Sequence, residues 1–291
     1  MKTPKLLLLL LSLIIITPAF SQSILPKGSL IIVGGSLKSQ EIYDKFYELA
    51  GYEDAKLVIV PTAIADEYLM VDGAIDRMME PFKKTGFTNI KIVHTRNPEE
   101  ANLDEFIRPI QEATAVYFMG GRQWRIADGF LGTKAHDEFF KLLDRGGVIA
   151  GSSAGASIQG SYLVRGDTKT NVVMMGDHEE GLGFLKNTAI DQHLLKLNRQ
   201  FDIFEILRAK PELLGLGLDE DTGIIVQGDT FTVIGESFVA VYDGTFCKFV
   251  RDKEDWSIER PEIVKLPEGS DKFYLLDAGR VYDLRERKVI K

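Results

Sequence analysis

The sequence predicts an α/β fold, a mainly parallel sheet with helices on both faces. Three observations predict it: short β-branched runs that are apolar on both faces, amphipathic stretches of helical period between them, and small-residue turns at the handovers. SLIIVGG (29–35) reads as the first strand and its turn. SQEIYDKFYELAG (39–51) places Ile42, Phe46 and Leu49 on one helical face and stops at Gly51. KLVIVPTA (56–63) is the next strand, followed by a helix from about 68 to 85 that Gly86 closes. IKIVHT (90–95), a helix near 102–113, AVYFMGG (115–121), a helix near 134–145 and GVIAGSS (147–153) continue the alternation. After about residue 215 the pattern changes. GIIVQGDTFTVIG and SFVAVYDGTFCKF alternate around Gly-Asp or Asp-Gly turns and read as antiparallel hairpins at the edge of the same domain, an extension that the β-rich residues 250–291 continue.

Residues 1–21 stand apart from this domain. Lys2 and Lys5 precede LLLLLLSLIIIT, an apolar run too short to span a bilayer, and Ala19-Phe20-Ser21 supplies small residues at cleavage spacing. The segment reads as a secretory signal peptide, leaving residues 22–291 as one α/β domain that is periplasmic or secreted. No cysteine lies near the cleavage point to carry a lipid, and the single cysteine, Cys247, cannot form an internal disulfide. Removing residues 1–21, with two lysines and no acid, takes the formal charge from −8 to −10. With its basic residues dispersed, the chain is not expected to bind nucleic acid, nor a membrane once the signal is gone.

The chemistry concentrates in GGVIAGSSAGASIQG (146–160), where a strand hands over to a helix. A serine at such a turn is lifted off the sheet edge. Gly151, Ala154 and Gly155 let backbone and substrate approach Ser153 closely, and the Ala154 N–H, at a helix N-terminus, is placed to hold a developing oxyanion. Serine and glycine also serve as ordinary caps and turn formers, so this stretch needs a base to become a site. The histidines are His94, His136, His178 and His193. His94 ends a strand and His136 lies in a charged helix, so both read as surface residues. His193, in AIDQHLL, is a polar residue in an apolar context and is the first choice; His178, in GDHEEG, is the second. For the carboxylate that orients the imidazole, Asp167, Glu220 and Asp221 all remain open. No second histidine stands at helical spacing from His178 and VGGSLKS lacks the third glycine of a dinucleotide fingerprint, so neither a metal nor another cofactor is expected.

Taken in order, VGGSLKSQEIYDKF, YFMGGRQWR, GSSAGAS, GLGFL, DQH and LGLDEDTGIIVQGDTFTVIG resemble the cyanophycinase and dipeptidase E family of serine peptidases, peptidase family S51, from about residue 28 to 245. The resemblance implies a class I glutamine-amidotransferase-like fold with a nucleophilic Ser153 and His193 as base. It puts the acid after the elbow helix and before the base, on Asp167. It also implies an oxyanion hole from the Gly121 and Ala154 amides, with Gln123, Gln192 and Arg199 holding substrate. Cyanophycinases carry several arginines after DQH; this chain keeps Arg199 but has Leu197 and Asp202 at two of those places. The implied activity is that of an exopeptidase on aspartyl-linked peptides of the β-Asp-Arg type, with a homodimer as the assembly to look for. An aspartyl dipeptidase would use the same residues. From a different class, a periplasmic peptide-binding protein without turnover would keep the fold but have no use for both serine and histidine.

Overall fold

The computed structural model describes residues 25–252, 254–255, 257–265 and 271–291; the signal segment expected at 1–21 lies outside them. Period-two burial makes the central strands two-sided. In β1 (Leu25–Val33), Leu30 and Ile32 enter one apolar core and Ile31 and Val33 another. β2 (Lys56–Val60) divides Val58 and Val60 from Leu57 and Ile59 in the same way. With β3 (Asn89–Ile92), β4 (Ala115–Phe118) and β5 (Val148–Ser152) they form a parallel array ordered β1-β5-β4-β2-β3.

A sheet apolar on both faces requires cover on both. On one side α1 (Gln40–Ala50) contributes Ile42 and Phe46. After the single turn of α2 (Asp66–Leu69), α3 (Ala74–Thr85) adds Phe82 to the same core. On the other side α4 (Asp104–Glu112), α5 (Gln123–Phe130) and α6 (Lys134–Asp144) bury Ile107, Ile126, Phe130 and Phe139. The helix expected over 68–85 is therefore two helices. Gly73, at φ 71, takes the left-handed conformation that separates them.

Beyond β5 the chain makes the short α7 (Ala154–Ser157) and then builds a second sheet. β6 (Gly160–Tyr162), β7 (Leu185–Gln192) and, after α8 (Phe204–Ala209), β8 (Leu214–Leu218) run parallel to one another. The hairpin expected after 222 is present as β9 (Thr222–Gly228) and β10 (Thr230–Gly235), laid antiparallel along β1 in the first sheet. The second expected hairpin does not form. β11 (Val239–Tyr242) joins β8 in the second sheet, whereas β12 (Thr245–Arg251) pairs with β13 (Glu259–Lys265) as a separate ribbon. The Asp243-Gly244 turn therefore carries the chain between sheets. The tail then divides: β14 (Tyr274–Leu276) lines up on β11, while β15 (Val281–Asp283) and β16 (Lys288–Val289) extend the first sheet from β10. Among the described residues no helix is long and apolar enough to cross a membrane.

One carboxylate ties this tail to both sheets. Asp243 accepts hydrogen bonds from the Thr245 amide at 2.9 Å and hydroxyl at 2.7 Å, from Tyr274 at 2.6 Å and from Tyr282 at 2.9 Å. Burial, reinforced by the charge of Asp243, pushes both phenols well above their ordinary range, so they remain donors. Asp243→Ala strands two buried hydroxyls and is expected to destabilise the protein by about 2–4 kcal/mol. Tyr274→Phe is expected to cost about 1 kcal/mol. Urea unfolding with unchanged slopes checks both.

Candidate active site

Ser153 stands where β5 gives way to α7, at φ 58 and ψ −114, a backbone conformation costly for any residue with a Cβ. Its amide donates to the Val33 carbonyl at 3.0 Å, and its own carbonyl accepts from Ala156 and Ser157, so the strained turn is held from both sides. The Oγ lies 2.9 Å from Nε2 of His193. His193 follows β7, in the neighbouring sheet, also at positive φ (53), and its amide donates to the Gly34 carbonyl at 2.8 Å. Gly35 explains how the ring fits. At φ 133, a Cβ built on residue 35 would fall 2.2 Å from Cε1 of the imidazole, so only glycine leaves room for it.

The other ring nitrogen faces a glutamate. Nδ1 of His193 lies 2.7 Å from Oε1 of Glu220, on the short link between β8 and β9. The hydrogen bond from His193 lowers the Glu220 pKa from the ordinary carboxylate range, against a smaller opposing effect of burial and with help from the Ser36 hydroxyl. This hydrogen-bond network assigns the proton to Nδ1 and leaves Nε2 to accept from the serine. The expectation that Asp167 orients His193 is thus corrected. Its carboxylate caps its own loop, accepting from the Lys169 amide at 3.0 Å and the Thr170 amide at 2.7 Å, and its carbonyl accepts from Arg122. In Asp219-Glu220-Asp221 the three acids point to three tasks. Asp219 accepts from the Leu195 and Lys196 amides and from Ser237, Glu220 meets His193, and Asp221 accepts from the Lys38 and Ser39 amides.

The remaining histidines are engaged elsewhere. His178 lies between Asp128 at 2.8 Å and Asp177 at 3.0 Å, with both nitrogens occupied. His94 contacts Thr62 at 3.0 Å and His136 contacts the Leu182 carbonyl at 2.8 Å; both are half-buried rather than surface residues.

Gly120 and Gly121 run beside the serine: a Cβ on residue 120 would lie 3.2 Å from that of Ser153. Gly121, at φ 139, presses against the Ala63 carbonyl, where a Cβ would come within 2.2 Å. Among the described residues no acceptor takes the Gly121 or Ala154 N–H. Gln123 is buried; its Nε2 donates to the Val164 and Arg165 carbonyls at 2.8 and 2.9 Å, and its buried Oε1 has no partner. Arg199 reaches back to Gln192, donating to the carbonyl at 2.9 Å and to Oε1 at 3.0 Å, next in sequence to His193. Sequence reasoning missed Arg165. Its side chain is buried against Asp191 and Asp202, and the only signal was an arginine closing the apolar run SYLV.

A two-sided α/β sheet with a hydroxyl, an imidazole and a carboxylate in one hydrogen-bonded line at its carboxyl edge defines a peptidase-type architecture. The chain belongs to peptidase family S51, whose family model, Peptidase family S51, matches residues 30–234. It is 28% identical over 226 residues to a cyanophycinase of Geminocystis herdmanii, covering 75% of this chain and 81% of that one. It is likewise 28% identical over 272 residues to a cyanophycinase of Trichormus variabilis, covering 91% and 88%. A peptidase from an acI-B1 Actinobacterium has a similar fold, with a TM-score of 0.62 at 21% identity, over 88% of this chain and 97% of that one. So does a putative peptidase E from Listeria monocytogenes, with a TM-score of 0.53 at 15% identity over 72% and 100%.

Proposed function

We propose that this peptidase is an exported serine-type exopeptidase that hydrolyses aspartyl-linked peptides of the β-Asp-Arg type. The observation that carries the reading is the 2.9 Å approach of Ser153 Oγ to a His193 ring whose other nitrogen is held by Glu220. Nε2 removes the hydroxyl proton as Oγ attacks the scissile carbonyl, and the oxyanion that forms takes hydrogen bonds from the Gly121 and Ala154 amides. Collapse of this intermediate breaks the C–N bond, and His193 returns the proton to the departing amine. A water activated by the same imidazole then hydrolyses the acyl-enzyme.

Gln123, buried at the start of α5 with its Nε2 on the Val164 and Arg165 carbonyls, supports the reading as a residue that shapes the site from beneath and not as a direct substrate contact. Arg199, whose direct hydrogen bonds go to Gln192 and to no carboxylate among the described residues, supplies the cation for a substrate carboxylate. The names of the cyanophycinase relatives support the choice of aspartyl-linked substrates.

The test combines a fluorophosphonate probe with a substrate comparison. Labelling is expected at Ser153 alone, and β-Asp-Arg is expected to be cleaved in preference to α-Asp-X dipeptides. Faster cleavage of the α-linked dipeptides replaces the substrate with that of an aspartyl dipeptidase. Peptide binding without labelling or cleavage overturns the enzyme reading.

A further inference from the structure

Arg165 sits in none of the motifs discussed above, yet its guanidinium joins four segments around the base. It leaves β6 at φ 57 and turns inward, with a side chain only 3% exposed. Nε and Nη2 grip the two oxygens of Asp191 at 2.9 and 3.0 Å, the two-point geometry that suits a guanidinium and a carboxylate. Nη2 also donates to Asp202 at 2.6 Å, and Nη1 donates to the Asn171 carbonyl at 2.9 Å. Asp191 is buried and lies two residues before His193; its Oδ1 also accepts from the Gln192 amide at 2.9 Å. The left-handed turn that presents the imidazole thus begins on a carboxylate whose position a single guanidinium fixes. Asp202, at one of the places where the family resemblance called for an arginine, is here the acid that receives one.

We propose that Arg165 is a positioning residue for His193, acting through Asp191 and Asp202 and touching neither substrate nor serine. The inference rests on the serine-peptidase reading above. A planar fork can be replaced by neither a shorter side chain nor an ammonium: lysine keeps the charge but loses the two-point grip on Asp191 that the guanidinium makes while also reaching Asp202 and the Asn171 carbonyl.

The experiment measures the rate of Ser153 labelling by the fluorophosphonate, which requires no knowledge of the natural substrate, together with kcat and KM on β-Asp-Arg. Arg165→Ala is expected to slow labelling about 10- to 100-fold, because small misplacement of a base is costly. kcat is expected to fall in step while KM stays within about twofold. Methylguanidine added at millimolar concentration is expected to recover part of the rate, and methylamine none. Arg165→Lys, the smaller perturbation to the fold, is expected to fall between Arg165→Ala and the unaltered protein. A folded Arg165→Ala or Arg165→Lys variant that labels at the unaltered rate overturns the proposal, as does equal recovery by methylguanidine and methylamine. Absence of labelling in the unaltered protein would instead remove the serine-peptidase reading.

Discussion

Ser153→Ala is expected to lower kcat by about 10⁴- to 10⁶-fold and to abolish phosphonate labelling, while the melting temperature stays level or rises. The rate falls because, among the described residues, no other hydroxyl hydrogen-bonds to His193 Nε2. The stability is retained because the residue occupies its strained conformation through backbone bonds, to Val33 and from Ala156 and Ser157, that alanine keeps. His193→Ala is expected to lose a similar factor, and the double variant little more, since the two groups act as one unit. Single-turnover kinetics with each variant checks the size and the non-additivity together.

Exchange of the acid separates two of the three carboxylates that competed in the sequence. Glu220→Gln is expected to reduce kcat by about 10²- to 10⁴-fold, because a carboxamide can donate to Nδ1 and favour the tautomer that leaves Nε2 protonated and unable to accept from serine. Asp167→Asn is expected to leave kcat within about threefold, since that carboxylate caps its own loop. Glu220 also ties stability to pH. The folded pKa of Glu220 lies below its ordinary value of 4.5, so its contribution to stability is complete above that value and is lost as the pH falls through the lowered one. The melting-temperature gap between the unaltered protein and Glu220→Gln is therefore expected to persist at pH 5 and to narrow as the pH falls below the ordinary value of 4.5.

The parallel sheet was legible because its strands are buried on both faces and announce themselves as unbroken apolar runs. β7 was not. LKNTAIDQ mixes charges and amides with only a few apolar residues, since it lies in a different sheet and ends in polar groups that serve the site. The Asp243 turn misled for a related reason. Its local chemistry is that of a hairpin, and only the tertiary pairing of β11 with β8 and of β12 with β13 separates the strands. Ser153 and His193 could be named from local context, an elbow and a polar residue among apolar ones. The acid could not be, because three consecutive carboxylates on an irregular link share one local environment, and their directions are fixed by partners that lie far along the chain. Asp167 satisfied the order along the chain but not the order in space. Gln123 and Arg199 were found as residue types; that each is first occupied with protein carbonyls became visible only with the fold.

The three groups in line at Ser153 are drawn from both sides of a seam. The serine belongs to the larger sheet, the imidazole to the end of a strand in the smaller one, and the carboxylate to the link that passes from one to the other. Fraying of the smaller sheet alone would draw base and acid away together from a nucleophile that stays in place. Loss of turnover is then expected to precede cooperative melting, and activity and circular dichroism followed along one temperature ramp check the order.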